Sequence, residues 1–199
     1  LMHQKINRAM SQRDDIHRLA GAVQLDDAYL GGERAGGKAG RGSENKVPFV
    51  AAVSLDEKGH PRHLKLNMVS GFTSQAIATW AKANLAPGAC VTSDGLGCFA
   101  AVVDAGCIHQ PEVVGALKPR DLPNFRWVNT VLGNLKTSLA GTFHSLNFRK
   151  YAQHYLGAFA YRFNRRFDLR GLVARLVVDV ARALPSPEKL VRMNAEAHC

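Results

Sequence analysis

The spacing of the apolar residues changes near residue 20, from a helical period to a strand pattern. Met2, Ile6 and Met10 recur every fourth residue, which predicts one or two amphipathic helices within residues 2–19. The segment Ala22–Leu30 is then largely apolar and ends at a pair of glycines, which is typical of a strand. A chain with this opening must bury a sheet as well as helices.

The rest of the chain alternates between strand and helix patterns. The predicted elements are strands at 47–55, 63–69, 89–92 and 107–108, and helices at 74–84, 96–103, from 124, from 148 and at 172–184. A turn at residues 56–59 joins two of the strands into an antiparallel hairpin, and the helix that follows suits a parallel crossover. We expect a loop at 110–123 and a loose tail from residue 186. The order predicts an α/β fold with a mixed sheet.

The composition indicates an anionic partner. In 199 residues, 26 Lys and Arg stand against 16 Asp and Glu, which gives a formal net charge of +10. Such an excess is most often associated with nucleic acid. No apolar run reaches the roughly 18 residues of a membrane span, and no signal-peptide pattern opens the chain. The four cysteines form no C-x-x-C pair, so we expect reduced thiols and a cytoplasmic protein. With nucleic acid as the partner, we expect it to be associated with the nucleoid.

Two aspartates are candidates for catalysis. Asp26 lies inside an apolar strand, and Asp94 directly follows another one. A buried acid paired with an arginine would explain Asp26, and simple turn chemistry would explain Asp94 in Ser93-Asp94-Gly95. Together, two carboxylates on adjacent strands of a basic protein favour a divalent-metal site for phosphoryl transfer. Asp27 is the alternative to Asp26, because a register error of one residue exchanges the faces of a strand.

Asn129 and Lys136 are seven residues apart, about two helical turns, so they share one face of a helix. The amide oxygen of Asn129 can complete a set of oxygen ligands, and Lys136 can bind a DNA phosphate. A helix-capping asparagine and a solvated lysine remain the alternative.

Two groups of basic residues are candidates for DNA binding. The first lies on a glycine-rich loop after Asp26 and contains Arg34, Lys38, Arg41 and Lys46. The second flanks the predicted helix from residue 148 and contains Arg149, Lys150, Arg162, Arg165 and Arg166. Each residue alone is explained equally well as a solvated charge, whereas the clusters favour neutralisation of DNA phosphates.

Five motifs occur in a fixed order: L-D-D-A-Y-L-G-G, S-D-G, V-N-T-V-L-G-N-L-K, G-T-F-H and A-Y-R-F-N-R-R. Over about residues 1–167 they resemble bacterial insertion-sequence transposases of the ISXO-like branch of the DDE superfamily. The resemblance implies an RNase H-like, mixed five-stranded sheet flanked by helices. It also implies cleavage of DNA at element ends and joining to target DNA, by a homo-oligomer assembled on DNA.

The resemblance assigns the site residue by residue. Asp26 and Asp94 become the first two metal ligands, and Asn129 occupies the third position, as in the D-D-N-K subgroup, with Lys136 as its basic companion. Two Mg²⁺ or Mn²⁺ ions about 3.5–4 Å apart would complete the centre. Asn134 is the alternative third ligand.

The resemblance also implies a division of the chain into a linker helix region at 1–20, a catalytic domain at 21–167 and a C-terminal helix with a loose tail at 168–199. Full-length relatives carry an N-terminal zinc-binding and helix-turn-helix region, which this sequence lacks, so we expect a fragment or a truncated gene. Two alternatives stay open: an RNase H-like nuclease that cuts without joining, and an inactive remnant that binds DNA without sequence preference.

Overall fold

A computed structural model of the chain describes residues 1–31, 46–112, 122–142 and 148–193. Its strands are β1 (Ala22–Leu30), β2 (Val47–Leu55), β3 (Pro61–Met68), β4 (Cys90–Asp94) and β5 (Ile108–Glu112). Its helices are α1 (Met2–Asp15), α2 (Ser74–Asn84), α3 (Arg126–Thr142), α4 (Phe148–Asn164), α5 (Leu172–Arg182) and α6 (Glu188–Met193). Two 3₁₀ helices span Gly97–Ala105 and Pro123–Phe125.

The five strands form one mixed sheet in the order β3-β2-β1-β4-β5. Strand β2 runs antiparallel to both of its neighbours, and β1, β4 and β5 run parallel to one another. The hairpin and the parallel crossover through α2 are therefore confirmed, as is the α/β class with a mixed five-stranded sheet flanked by helices. Strand β1 is the central strand, so its residues have a neighbouring strand on each side.

Helices cover both faces of the sheet, and strand alternation decides which side chains meet them. Ala28 and Leu30 of β1 pack in the core beneath α3 and α4. Val23 and Leu25 of the same strand pack in the opposite core, beneath α2 and the Gly97–Ala105 helix. Because successive strand residues alternate between faces, Asp26 shares the α3 side with Ala28.

The structure differs from the sequence-based expectation at two short elements. Strand β5 extends to Glu112, where the sequence predicts a loop from residue 110. Its Pro111 lies on an edge strand beside Ser93, a position where the missing N–H of proline is tolerated. Helix α6 occupies the region expected to be a loose tail, and its Val191 is only 1% exposed.

No disulfide joins the described cysteines Cys90, Cys98 and Cys107. Burial raises the pKa of the Cys107 thiol. Within the described residues, no helix combines the length and the apolar character that crossing a bilayer requires.

Helix α1 packs closely on α4 at Gly157. A Cβ atom on Gly157 would lie 2.5 Å from the Cβ of Ser11 and 2.9 Å from its Cα. We therefore expect Gly157→Ala to push the helices apart and to lower the free energy of unfolding by about 1–3 kcal/mol. The control is Gly133→Ala on α3, where a Cβ meets nothing within 4 Å. Gly133→Ala should instead stabilise by about 0.5–1 kcal/mol. Urea denaturation measures both, and equal effects would contradict the close packing at Gly157.

Candidate active site

A cluster of three carboxylates lies where β1 and β4 run side by side. Leu25 pairs with Ser93 in the parallel register, so Asp26 and Asp94 follow at the same level. Ligand oxygens of Asp26, Asp27 and Asp94 all lie within 4.8 Å of one another, and all three residues are half-buried. The structure thus brings together the two aspartates predicted from the sequence.

Asp27 joins this cluster although strand alternation gives it the opposite face from Asp26. The Asp26 Oδ1 accepts a hydrogen bond of 2.8 Å from the N–H of the following residue, Asp27. The alternative residue weighed for Asp26 is therefore an additional member of the group rather than a replacement.

Asp94 is held by the turn that follows β4. Its Oδ1 accepts a hydrogen bond of 3.1 Å from the Leu96 N–H. The Ser93 hydroxyl donates to the Asp94 carbonyl at 2.9 Å and contacts His109 Nε2 at 2.8 Å. A serine has one hydroxyl hydrogen, so the imidazole is the donor in the second contact. Burial lowers the pKa of His109, which favours the neutral imidazole with its hydrogen on Nε2.

Gln24 fixes the start of α3 beside the carboxylates. Its side-chain oxygen accepts hydrogen bonds from the backbone N–H groups of Trp127 at 3.0 Å and Val128 at 3.1 Å. Gln24 and Asp26 are two residues apart on β1 and share a face. Asn129 follows Val128 in the same first turns of α3 and is half-buried. These two hydrogen bonds therefore attach the start of α3, which carries the predicted third ligand Asn129, to β1 two residues before Asp26.

Glu112 and Asn124 tie down the segment before α3. Glu112 pairs with Asp94 across β4 and β5, and its Oε2 accepts a hydrogen bond of 2.8 Å from Asn124. Asn124 belongs to the Pro123–Phe125 helix, which leads directly into α3. This contact holds the entry to α3 at the edge of the same site.

Sequence reasoning missed Gln24, His109 and Glu112. A buried glutamine two residues before a candidate catalytic acid shares that acid's strand face, and this was a usable signal for Gln24. His109 and Glu112 lie on β5, whose extent was not predicted, so the sequence offered no register to place them.

Of the predicted DNA-binding residues, only some lie within the described residues. Lys136 is exposed on α3, and Arg162 is exposed on α4. Lys46 is half-buried and immediately precedes β2, the strand that pairs with β1 at Asp26 through Ala51. Arg34, Lys38 and Arg41 lie outside the described residues.

Arg165 and Arg166 use their guanidinium groups inside the molecule. Arg165 forms an ion pair of 2.8 Å with Asp14, stacks 3.5 Å from the centre of the Tyr161 ring, and has a side chain only 11% exposed. Arg166 donates to the backbone carbonyls of Pro61, Arg62 and Phe163. Both guanidinium groups are thus engaged within the chain, Arg165 with α1 and Arg166 with backbone carbonyls of β3 and α4. Their role in DNA binding stays a prediction.

The carboxylate cluster fits a hard divalent cation. Mg²⁺ and Mn²⁺ prefer oxygen ligands, and three carboxylate oxygens converge here from two strands. Carboxylates this close repel one another when ionised, and a bound cation relieves that repulsion. Half-burial leaves the group partly accessible to solvent.

Comparison with known proteins assigns the family. Residues 18–164 match the family model described as the ISXO2-like transposase domain. No curated protein matches the chain. One similar solved structure is described as "Crystal structure of a pre-cleavage Mos1 transpososome", with 10% sequence identity and a TM-score of 0.30. The aligned region covers 92% of the present chain and 64% of the transpososome chain. The present chain therefore spans less than two thirds of the length of that neighbour. Because the family match covers more than half of the residues, the chain belongs to the ISXO2-like transposase domain family.

Proposed function

We propose that this chain carries the catalytic centre of an insertion-sequence transposase that cuts DNA and joins the freed 3′-hydroxyl groups to target DNA. The observation that carries the proposal is the convergence of Asp26, Asp27 and Asp94 within 4.8 Å in a member of a transposase family. The net charge of +10 supports DNA as the substrate. We further propose that the active form is a homo-oligomer assembled on that DNA.

Some residues of the site would bind metal, and others hold the metal-binding residues in position. Asp26 and Asp94 would hold divalent metal, with Asp27 close by and the Asn129 amide as a neutral oxygen ligand. The chemistry that such cations supply when bound is Lewis-acid stabilisation of the attacking and leaving oxygens. Gln24, Ser93 and His109 keep the strand ends and α3 in place, so the donor atoms are preorganised before DNA arrives.

A strand-transfer assay tests the proposal. The chain is incubated with a supercoiled plasmid and a labelled duplex that ends in a free 3′-hydroxyl, in Mg²⁺, in Mn²⁺ or in EDTA. Metal-dependent appearance of the label on the plasmid is the expected result. Cleavage without joining would identify a nuclease, and binding without cleavage would identify an inactive remnant, so either result contradicts the proposal.

The role of Asn129 is tested by substitution. Asn129→Ala removes the amide that we propose as a neutral metal ligand, so we expect the rate of strand transfer to fall at least about tenfold. Asn129→Asp restores an oxygen at that position and should retain activity. The control is Asn134→Ala, an exposed residue five positions further along α3. Full activity of Asn129→Ala together with loss in Asn134→Ala would transfer the role to Asn134.

A further inference from the structure

A basic cavity lies away from the carboxylate cluster. It has a volume of about 590 Å³ and is walled by the end of α1, the start of β3, the end of α4 and one side of α5. His63 in its wall lies on β3, which β2 separates from β1. Across the sheet His63 is level with Ser54 and Val23, and Val23 lies three residues before Asp26. The cavity is therefore a separate site on the same domain.

The two carboxylates in the cavity wall are already neutralised by neighbours. Asp14 accepts hydrogen bonds of 2.8 Å from Arg165 on one oxygen and from Asn164 on the other. Asp179 is paired with Arg13 at 3.1 Å and accepts a 2.7 Å hydrogen bond from the Tyr161 hydroxyl. Asp14 and the neighbouring Asp15 also attract the Lys65 ammonium group, whereas no ion pair ties Arg18 or Arg182 to a carboxylate in the described part of the chain.

Three cations in the same wall retain donors for a ligand. Lys65 is only 3% exposed, and its ammonium group donates to the Asp14 carbonyl, which leaves two of its three hydrogens. Arg18 and Arg182 are exposed, and neither forms an ion pair or hydrogen bond with the part of the chain that the structure describes. A concave surface with uncompensated guanidinium groups and a buried ammonium is built to bind an anion.

We propose that this cavity binds a phosphodiester group of the DNA backbone, at a point remote from the site of cleavage. The inference rests on the proposed action on DNA and adds a second contact to it. Guanidinium groups match phosphate oxygens in a bidentate geometry, and the exposed positions of Arg18 and Arg182 let a backbone pass across the opening. A contact of this kind would fix the orientation of the DNA relative to Asp26 and Asp94 without reading its sequence.

The experiment measures binding of a fluorescent DNA duplex by anisotropy, without divalent metal, over a range of salt concentrations. The variant Arg18→Ala/Arg182→Ala is compared with Lys58→Ala/Lys82→Ala, which removes the same charge from exposed residues outside the cavity. Each phosphate contact contributes about −0.9 to the slope of log K against log salt, so loss of two contacts should flatten it by about two units. Lines that meet near 1 M salt and differ by this slope are about 60-fold apart at 100 mM salt, which is the expected loss of affinity, whereas the control should stay within about twofold of the unaltered chain.

Two results would overturn the inference. One is equal DNA binding by the arginine variant and the lysine control. The other is binding of inorganic pyrophosphate, measured by calorimetry, that depends on the arginines while DNA binding does not, which would identify a site for small anions. Because the assay contains no metal, a chain that binds DNA through Arg18 and Arg182 but never cleaves it would contradict the proposed function alone. Unchanged circular dichroism and Tm confirm that the variants are folded.

Discussion

We expect Asp26→Asn and Asp94→Asn each to reduce metal-dependent strand transfer by at least about a thousandfold, which corresponds to about 4 kcal/mol of activation free energy. The substitution keeps the shape of the side chain and removes the charge that holds a cation beside the scissile phosphate. Both residues lie in the three-carboxylate cluster, so the loss of one charge also relieves repulsion within it. The variants should therefore fold at least as stably as the unaltered chain and bind DNA without metal as tightly or more tightly.

The control for these substitutions is Asp104→Asn, which makes the same change at an exposed residue of the Gly97–Ala105 helix. Strand transfer, Tm and metal-free DNA binding are measured on all variants, together with Asp27→Asn. Activity in Asp26→Asn combined with its loss in Asp27→Asn would move the first ligand by one residue. Activity in both Asp26→Asn and Asp94→Asn would place the chemistry elsewhere.

The elements predicted most closely are those whose signals are local. The apolar run of β1 ends at a glycine pair, and α2 lies between the Thr73 cap and a Pro-Gly turn, so their bounds follow from neighbouring residues. The short elements β5 and α6 carry no such signal. Pro111 and the polar residues of β5 form a strand only because β4 lies beside them, and α6 is held by tertiary burial of Val191.

The same division applies to the site. Asp26 and Asp94 could be placed together because one lies inside a strand pattern and the other directly follows one, and a parallel crossover brings two such strands side by side. The inclusion of Asp27 could not be predicted in this way, because strand alternation assigns its side chain to the opposite face from Asp26. The basic residues of A-Y-R-F-N-R-R resemble a surface cluster in sequence, yet the acid that neutralises Arg165 lies 151 positions earlier, at Asp14.

Because that ion pair is buried, we expect Asp14→Ala to lower the free energy of unfolding by about 3–5 kcal/mol. The side chains of Arg165 and Asp14 are only 11% and 8% exposed, so a largely buried guanidinium would lose its carboxylate partner. Asn164 would also lose its acceptor on Asp14. Urea denaturation followed by circular dichroism measures the loss.

The matched control is Asp168→Ala, which breaks a second aspartate–arginine pair of similar length. Asp168 and Arg175 are 2.6 Å apart, but their side chains are 46% and 56% exposed. Solvent screens such a pair, so its loss should cost at most about 1 kcal/mol. The double variant Asp14→Leu/Arg165→Met should recover most of the stability lost in Asp14→Ala, because it removes both charges from the buried site. Equal losses from Asp14→Ala and Asp168→Ala would show that solvent reaches Arg165, and the guanidinium would then again be a candidate for DNA binding.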